Sequence, residues 1–401
     1  MTVQLDNYTP FPNLRYSGTD TDNLEFGVFM VKVAWDLLVD GSCAISAEQE
    51  PFVFKDEYYG EVNVSSVRYP SDFAPYKPKT DLVLSATTWA PDGKPASSWL
   101  AGVRFTSADG IVSEKVLRVF GPRFWIPKWK RSLTEEEKLN WREYKNLFVG
   151  WELSEAKPIT KLPIRYEFAY GGELSKDADA DGVPVREAFE SNPVGRGYID
   201  PHWSDHTAPM PAPQIEDADD PITDPYRQYT PQGFGPIPPA WLPRRPLGGT
   251  YDEAWIASGG NCWPEDYDFE FHNSCSPGLR AQGHIHSDLK IELVNLHPSK
   301  QNWRIDFKNM SPVCFLEHEN LDPKFLRMNL DSLFLEVDEE NLEDPRAFCT
   351  WRLLFHPTET LGIKLFLPED DLSQEHLEAI ELPPTPADVC VAMPQNIGGQ
   401  D

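Results

Sequence analysis

The chain has 401 residues, 64 acidic against 36 basic side chains (a formal charge of −28) and 40% apolar residues, among them 13 Trp, 22 Phe and 14 Tyr. That aromatic content excludes disorder throughout, and the length allows a sizeable core in one large unit or two smaller ones. The acidic balance argues against bare nucleic acid and anionic membranes as partners, because both call for a basic surface, and it favours a basic protein partner.

Residues 1–25 are polar, carry Pro10 and Pro12, and read as an extended lead-in. Phe26–Val39 is rich in Val, Phe and Trp and reads as a long strand, ended by the turn signal Asp40-Gly41. Strands are predicted at Leu82–Ala90, Trp99–Thr106 and Ile111–Phe120, with Asp92-Gly93 and Asp109-Gly110 as hairpin turns between them. Such a meander implies antiparallel sheet. A helix is predicted after Ser132 or Thr134, where Glu135–Glu137 suit the positive end of the helix dipole and Trp141, Tyr144 and Phe148 would share one face. Ile164–Tyr170 reads as strand again.

From Gly171 to about Gly249 the chain is loaded with Pro, Gly and Asp, which disfavours regular sheet. Tyr198, Trp203, Phe234 and Trp241 nevertheless imply order, as an irregular belt over the sheets. Strands resume at Leu289–Leu296, Trp303–Phe307, Val313–His318, Leu330–Val337 and Phe348–Phe355, and a second helix is predicted near Leu372–Ile380. The expected fold is mainly β: antiparallel sheets, sandwich- or barrel-like, with a long Pro/Gly-rich belt and one or two short helices. The corresponding division is an N-terminal β lobe (1–170), the belt (171–260), a C-terminal β lobe (261–365) and an acidic helix and tail (366–401), or one folding unit throughout.

The six cysteines, Cys43, Cys262, Cys275, Cys314, Cys349 and Cys390, are scattered without a CxxC pair, which suits free thiols in a reducing compartment. The opening MTVQLDNYTP has neither a basic nor an apolar leader region, and no apolar run is long enough to span a bilayer. Both observations point to the cytoplasm.

Asp177, Asp179 and Asp181, followed by Gly182, alternate as the first ligands of a calcium loop do, because three hard oxygens can converge where glycine permits a sharp turn. The twelfth position is Ala188, however, and Pro184 interrupts the loop, so a solvated acidic loop competes with calcium. His284 and His286 would share a face of a strand near His272 and Cys275, as zinc ligands can, but a polar strand face is the stronger reading. His202 and His206 are four apart, bracketed by Pro201 and Pro209 on a loop. The sequence has no GxSxG elbow, no Walker A loop, no HExxH and no GxGxxG after a strand, so the expectation is a protein without catalysis or a cofactor. The Trp and acid content keeps a carbohydrate-binding or carbohydrate-active β-protein as an alternative.

Several stretches, taken in chain order, form a distinctive set. They are Tyr69-Pro-Ser-Asp72-Phe-Ala-Pro75-Tyr-Lys77-Pro78-Lys-Thr80-Asp81, Arg165-Tyr166-Glu-Phe-Ala169-Tyr-Gly171-Gly172, and Asn192-Pro193-Val-Gly195-Arg196-Gly197-Tyr198. Gly233-Phe-Gly235-Pro236-Ile-Pro238 follows, then Trp241, Arg244, Gly249-Thr250-Tyr251-Asp252-Glu-Ala-Trp255 and Pro264-Glu-Asp266-Tyr-Asp268, and Leu330-Asp331-Ser-Leu333 with Trp351-Arg352 closes the set. Together they resemble the DUF2169 family, the last two its closing strands, and the resemblance implies an adaptor or chaperone of type VI secretion. Such a protein binds an effector, often one bearing a PAAR-like tip, and helps load it onto the VgrG spike; a structural component of the apparatus is a further alternative. On that reading Lys77, Asn192, Arg196, Tyr198, Trp241, Tyr251 and Trp255 are the partner-binding candidates, and the acidic surface would steer a basic effector such as a nuclease toxin. Residues that only hold the belt in place are an equal reading of the same motifs.

Overall fold

The computed structural model describes residues 3–178, 184–201, 204–257, 259, 263–319, 321–367 and 372–392. The fold is mainly β. Its larger sheet has eight strands, six of them in the order Lys161–Pro163, Asp81–Trp89, Asn329–Val337, Arg346–Phe355, Leu24–Leu37 and Asn13–Thr19. Cys43–Ile45 and Val391–Ala392 pair additionally with Leu24–Leu37. A five-stranded sheet runs Ile215–Asp217, Gly110–Phe120, Ser98–Ser107, Leu289–His297, Lys300–Phe307. Both sheets are open, and their apolar side chains merge in one core that includes Phe29, Leu84, Phe105, Ile291, Trp303 and Trp351. Strands from 1–170 and from 261–365 lie side by side in each of them.

Most predicted strands form where expected, and the Asp109-Gly110 turn closes a true hairpin between Ser98–Ser107 and Gly110–Phe120. The Asp92-Gly93 turn does not. It lies in a 3-10 turn, Pro91–Gly93, that carries the chain from one sheet to the other. Asp81–Trp89 pairs instead with Asn329–Val337 in parallel. Its residues are buried on both faces almost throughout, as a central strand's are.

The predicted lead-in contains the edge strand Asn13–Thr19, which forms a hairpin with Leu24–Leu37. The first predicted helix is shorter than its apolar spacing suggested. Thr134 and Glu137 form a capping box for Glu135–Leu139, the backbone leaves helical geometry at Asn140, and a 3-10 turn, Trp141–Leu147, follows. Phe148 already opens the strand Phe148–Leu153, so Trp141, Tyr144 and Phe148 do not share a helical face. The predicted strand at 164–170 is largely a 3-10 turn, Tyr166–Phe168. The second helix forms as Gln374–Glu378, capped by Ser373.

The belt is largely irregular, as its prolines require, and it is tied to the sheets by main-chain hydrogen bonds. Leu84 N donates to Phe234 O and Phe120 N to Gln214 O, while Ile237 N donates to Ser274 O in the loop beyond the belt. Phe234, Ile237 and Trp241 sink into the main core. One regular hairpin, Glu173–Ala178 with Pro184–Ala188, interrupts it. Among the described residues, no helix is long and apolar enough to cross a membrane.

Candidate functional site

The segment from Tyr69 to Asp81 lies over the larger sheet and is held by buried ions. Asp72 Oδ2 accepts from Lys32 Nζ and from Val53 N, each at 2.8 Å, while its Oδ1 accepts from Thr350 Oγ1 at 3.1 Å. Arg352 Nε donates to Asp331 Oδ2 at 2.6 Å, and the same guanidinium donates to Tyr16 Oη, Ala74 O and Asp72 O. The Lys77 ammonium lies 3.2 Å from Asp81 Oδ2 with both side chains almost wholly buried. Asp81 also accepts from Asn273 Nδ2 at 2.9 Å and Ser274 N at 2.8 Å, which fastens the chain after the belt to the sheet. Burial pushes the Asp81 carboxyl up, but the Lys77 charge and hydrogen bonds from Cys275, Ser274 and Asn273 outweigh it and hold the carboxyl below the usual carboxylate range.

Most of the partner-contact candidates belong to internal ties of this kind. Lys77, Asn192, Tyr198 and Trp241 are buried, with 3%, 0%, 9% and 3% of their surface exposed, so they face the interior rather than a partner. Asn192 Nδ2 donates to Tyr166 O and Tyr170 O at 2.9 and 3.0 Å and so ties the family-like stretches at 165–172 and 192–198 together. Tyr198 Oη lies 3.1 Å from Glu187, and Trp241 packs edge-on against Tyr166. The Arg196 guanidinium also turns inward, donating to Glu167 O at 2.6 Å and Gln214 Oε1 at 3.0 Å and lying over the Phe168 ring. Polar loop residues read as interface were thus internal ties, because buried backbone carbonyls in an irregular belt need donors. Asn192→Ala, which removes the side-chain donor to Tyr170 O and one of the two donors to Tyr166 O, is expected to lower stability by about 2 kcal/mol in urea unfolding. A loss within error would show that the belt does not depend on it.

Tyr251 is exposed, and Trp255 partly so; their rings meet at 4.8 Å in a T-shape. Asp179, Asp181 and His202 lie outside the described residues, and Asp177 falls in the Glu173–Ala178 strand. His284 and His286 stand 6.5 Å apart by ring centroid, and His284 Nε2 contacts Lys77 O. Burial lowers His284, lowers His286 to about 4 and lowers His272 to about 3; the His272 ring is bonded to Tyr267 Oη. Among the described residues, no three His, Cys, Asp or Glu side chains are grouped to hold a metal ion. His206 is enclosed by the rings of Trp141, Phe148 and Trp151.

The exposed feature with the character of a binding surface is an aromatic groove of about 350 Å³ that the sequence reading did not single out. Tyr16, Ser17, Gly18, Thr19, Glu25, Phe73, Pro75 and Trp263 line it. Phe73, 48% exposed, packs on Tyr16 at 4.6 Å and reaches toward Phe54, itself 62% exposed. Trp263, also in the lining, stacks on Tyr267 at 4.2 Å and donates from Nε1 to Thr19 O at 3.1 Å. The buried ties described above set this geometry, since Arg352 holds both Tyr16 and the carbonyls of Asp72 and Ala74 that flank Phe73. Phe73 was visible as an aromatic inside the first of the family-like stretches, between the internally bonded Asp72 and Ala74.

No curated protein and no solved structure matches the chain. One family does, described as "Uncharacterized protein conserved in bacteria (DUF2169)", over residues 22–352. That span runs from the turn of the first hairpin to Arg352, taking in the buried ion pairs and half of the groove's lining, Glu25, Phe73, Pro75 and Trp263. The chain therefore belongs to the DUF2169 family.

Proposed function

We propose that this protein is a cytoplasmic adaptor of bacterial type VI secretion: it binds a toxic effector, PAAR-linked or otherwise basic, and promotes its loading onto the VgrG spike. The observation that carries partner binding is the exposed aromatic groove on a chain of charge −28, held in shape by buried ion pairs. Aromatic side chains fixed by their neighbours lose little entropy on docking and dominate interface energetics. Acidic surroundings raise the rate of encounter with a basic partner. The secretion context comes from the resemblance of the motifs, which implies the effector and the spike as partners.

The test is genetic and biochemical. The tagged full-length protein, co-expressed with the effectors and spike proteins of its own genome, is expected to co-purify with an effector, and deletion of its gene should abolish secretion of that effector alone. Secretion of every effector at an unchanged level after deletion would sink the adaptor reading.

A further inference from the structure

We propose that the groove receives an extended segment of the protein partner, which adds as a strand to the Asn13–Thr19 edge and lays a basic side chain against Phe73 and Trp263. This rests on the partner-binding reading above and specifies its chemistry.

The argument begins with the backbone. In the hairpin, Asp20 N donates to Leu24 O and Lys32 N to Pro12 O, at either end of an unbroken register. Hydrogen-bonded pairs alternate along an antiparallel ladder, so Leu14, Tyr16 and Gly18 turn their amides and carbonyls inward and Asn13, Arg15, Ser17 and Thr19 turn theirs outward. Among the described residues, only Thr19 O of that outward row has a partner, Trp263 Nε1. Asn13–Thr19 ends the strand order of its sheet, and Arg15 and Ser17 are exposed. A row of open donors and acceptors beside an apolar groove is what strand addition uses: main-chain bonds supply affinity, and alternate side chains fill the groove.

Charge then selects the occupant. Glu25 is among the lining residues, and Asp20 and Asp22 lie in the turn of the same hairpin. The strand's cation, Arg15, lies on the opposite face from Tyr16 by alternation and donates to Val3 O, so it does not compete for the groove. A lysine or arginine entering the groove would lie against the Phe73 and Trp263 side chains, in the field of a chain of charge −28.

The probe is a short fluorescent peptide alternating lysine and valine, titrated into the full-length protein. Binding is expected to weaken by about tenfold or more when glutamate replaces lysine, or when alternate peptide amides are N-methylated. Ser17→Pro removes one outward amide and no ladder bond, and Phe73→Ser removes one wall; each should weaken binding similarly, with circular dichroism confirming the fold. Binding indifferent to N-methylation or to both substitutions would overturn strand addition. So would a concentration-dependent dimer that Ser17→Pro dissolves, since a second copy would then hold the edge. Co-expression separates this from the adaptor reading. An effector retained equally by the wild type and both variants removes the edge but leaves the adaptor, whereas edge-dependent peptide binding without any effector capture does the reverse.

Discussion

Arg352→Leu is expected to destabilise the protein by about 3–5 kcal/mol in urea unfolding, among the largest effects of any single substitution here. Arg352 and Asp331 retain 2% and 1% of their side-chain exposure. Removing the guanidinium leaves the Asp331 carboxylate in the core without its counter-charge, and it also removes donors from Tyr16 Oη, Ala74 O and Asp72 O. The greater part of the loss should come from the abandoned charge. The double variant Arg352→Leu, Asp331→Leu is therefore expected to recover part of the stability despite losing both members of the pair. If the double variant is less stable than the single one by the full effect of a second lesion, the pair is not the coupled unit described. The single variant should also loosen the groove, because Tyr16 and the segment bearing Phe73 share Arg352 as an anchor.

The strands were legible because their apolar content is local. Leu24–Leu37, Ser98–Ser107 and Gly110–Phe120 announce themselves by composition and by the turns that follow them. What was not legible was which strands become neighbours. Asp92-Gly93 says that the chain turns there, but not that the next strand joins another sheet. The contrary signal was present in Asp81–Trp89, whose unalternating run fits a strand buried on both faces. The site was legible only as a set of residues. Lys77, Asn192 and Trp241 stood out in the motifs, yet a polar residue on a Pro-rich loop looks the same whether it faces solvent or neutralises a buried partner. Lys77 with Asp81 is a local pair four residues apart, whereas Arg352 finds Tyr16 across most of the chain, which no spacing rule reports. The outward row of the Asn13–Thr19 edge was hidden for a simpler reason: prolines at 10 and 12 made the stretch read as a lead-in.

Asp81→Asn tests the other half of the framework, and its pH dependence gives the sharper result. At pH 7 the variant leaves the Lys77 ammonium buried without its carboxylate and should lose about 3–5 kcal/mol. In the folded protein the Asp81 carboxyl is held below its ordinary value, because the Lys77 charge and the donors from Cys275, Ser274 and Asn273 outweigh the upward push of burial. A carboxyl depressed in the folded state contributes stability above its unfolded value, about 3.9, and loses that contribution as pH falls through the folded value. The difference between wild type and variant should therefore stay flat from pH 7 down to about 5 and narrow below about 4, as the wild-type carboxyl becomes neutral like the amide. Other carboxylates titrate in the same range, but they are common to both proteins and cancel in the difference. A gap that held its full size into strong acid would mean that Asp81 contributes through the shape of its hydrogen bonds alone, with no part for its charge opposite Lys77.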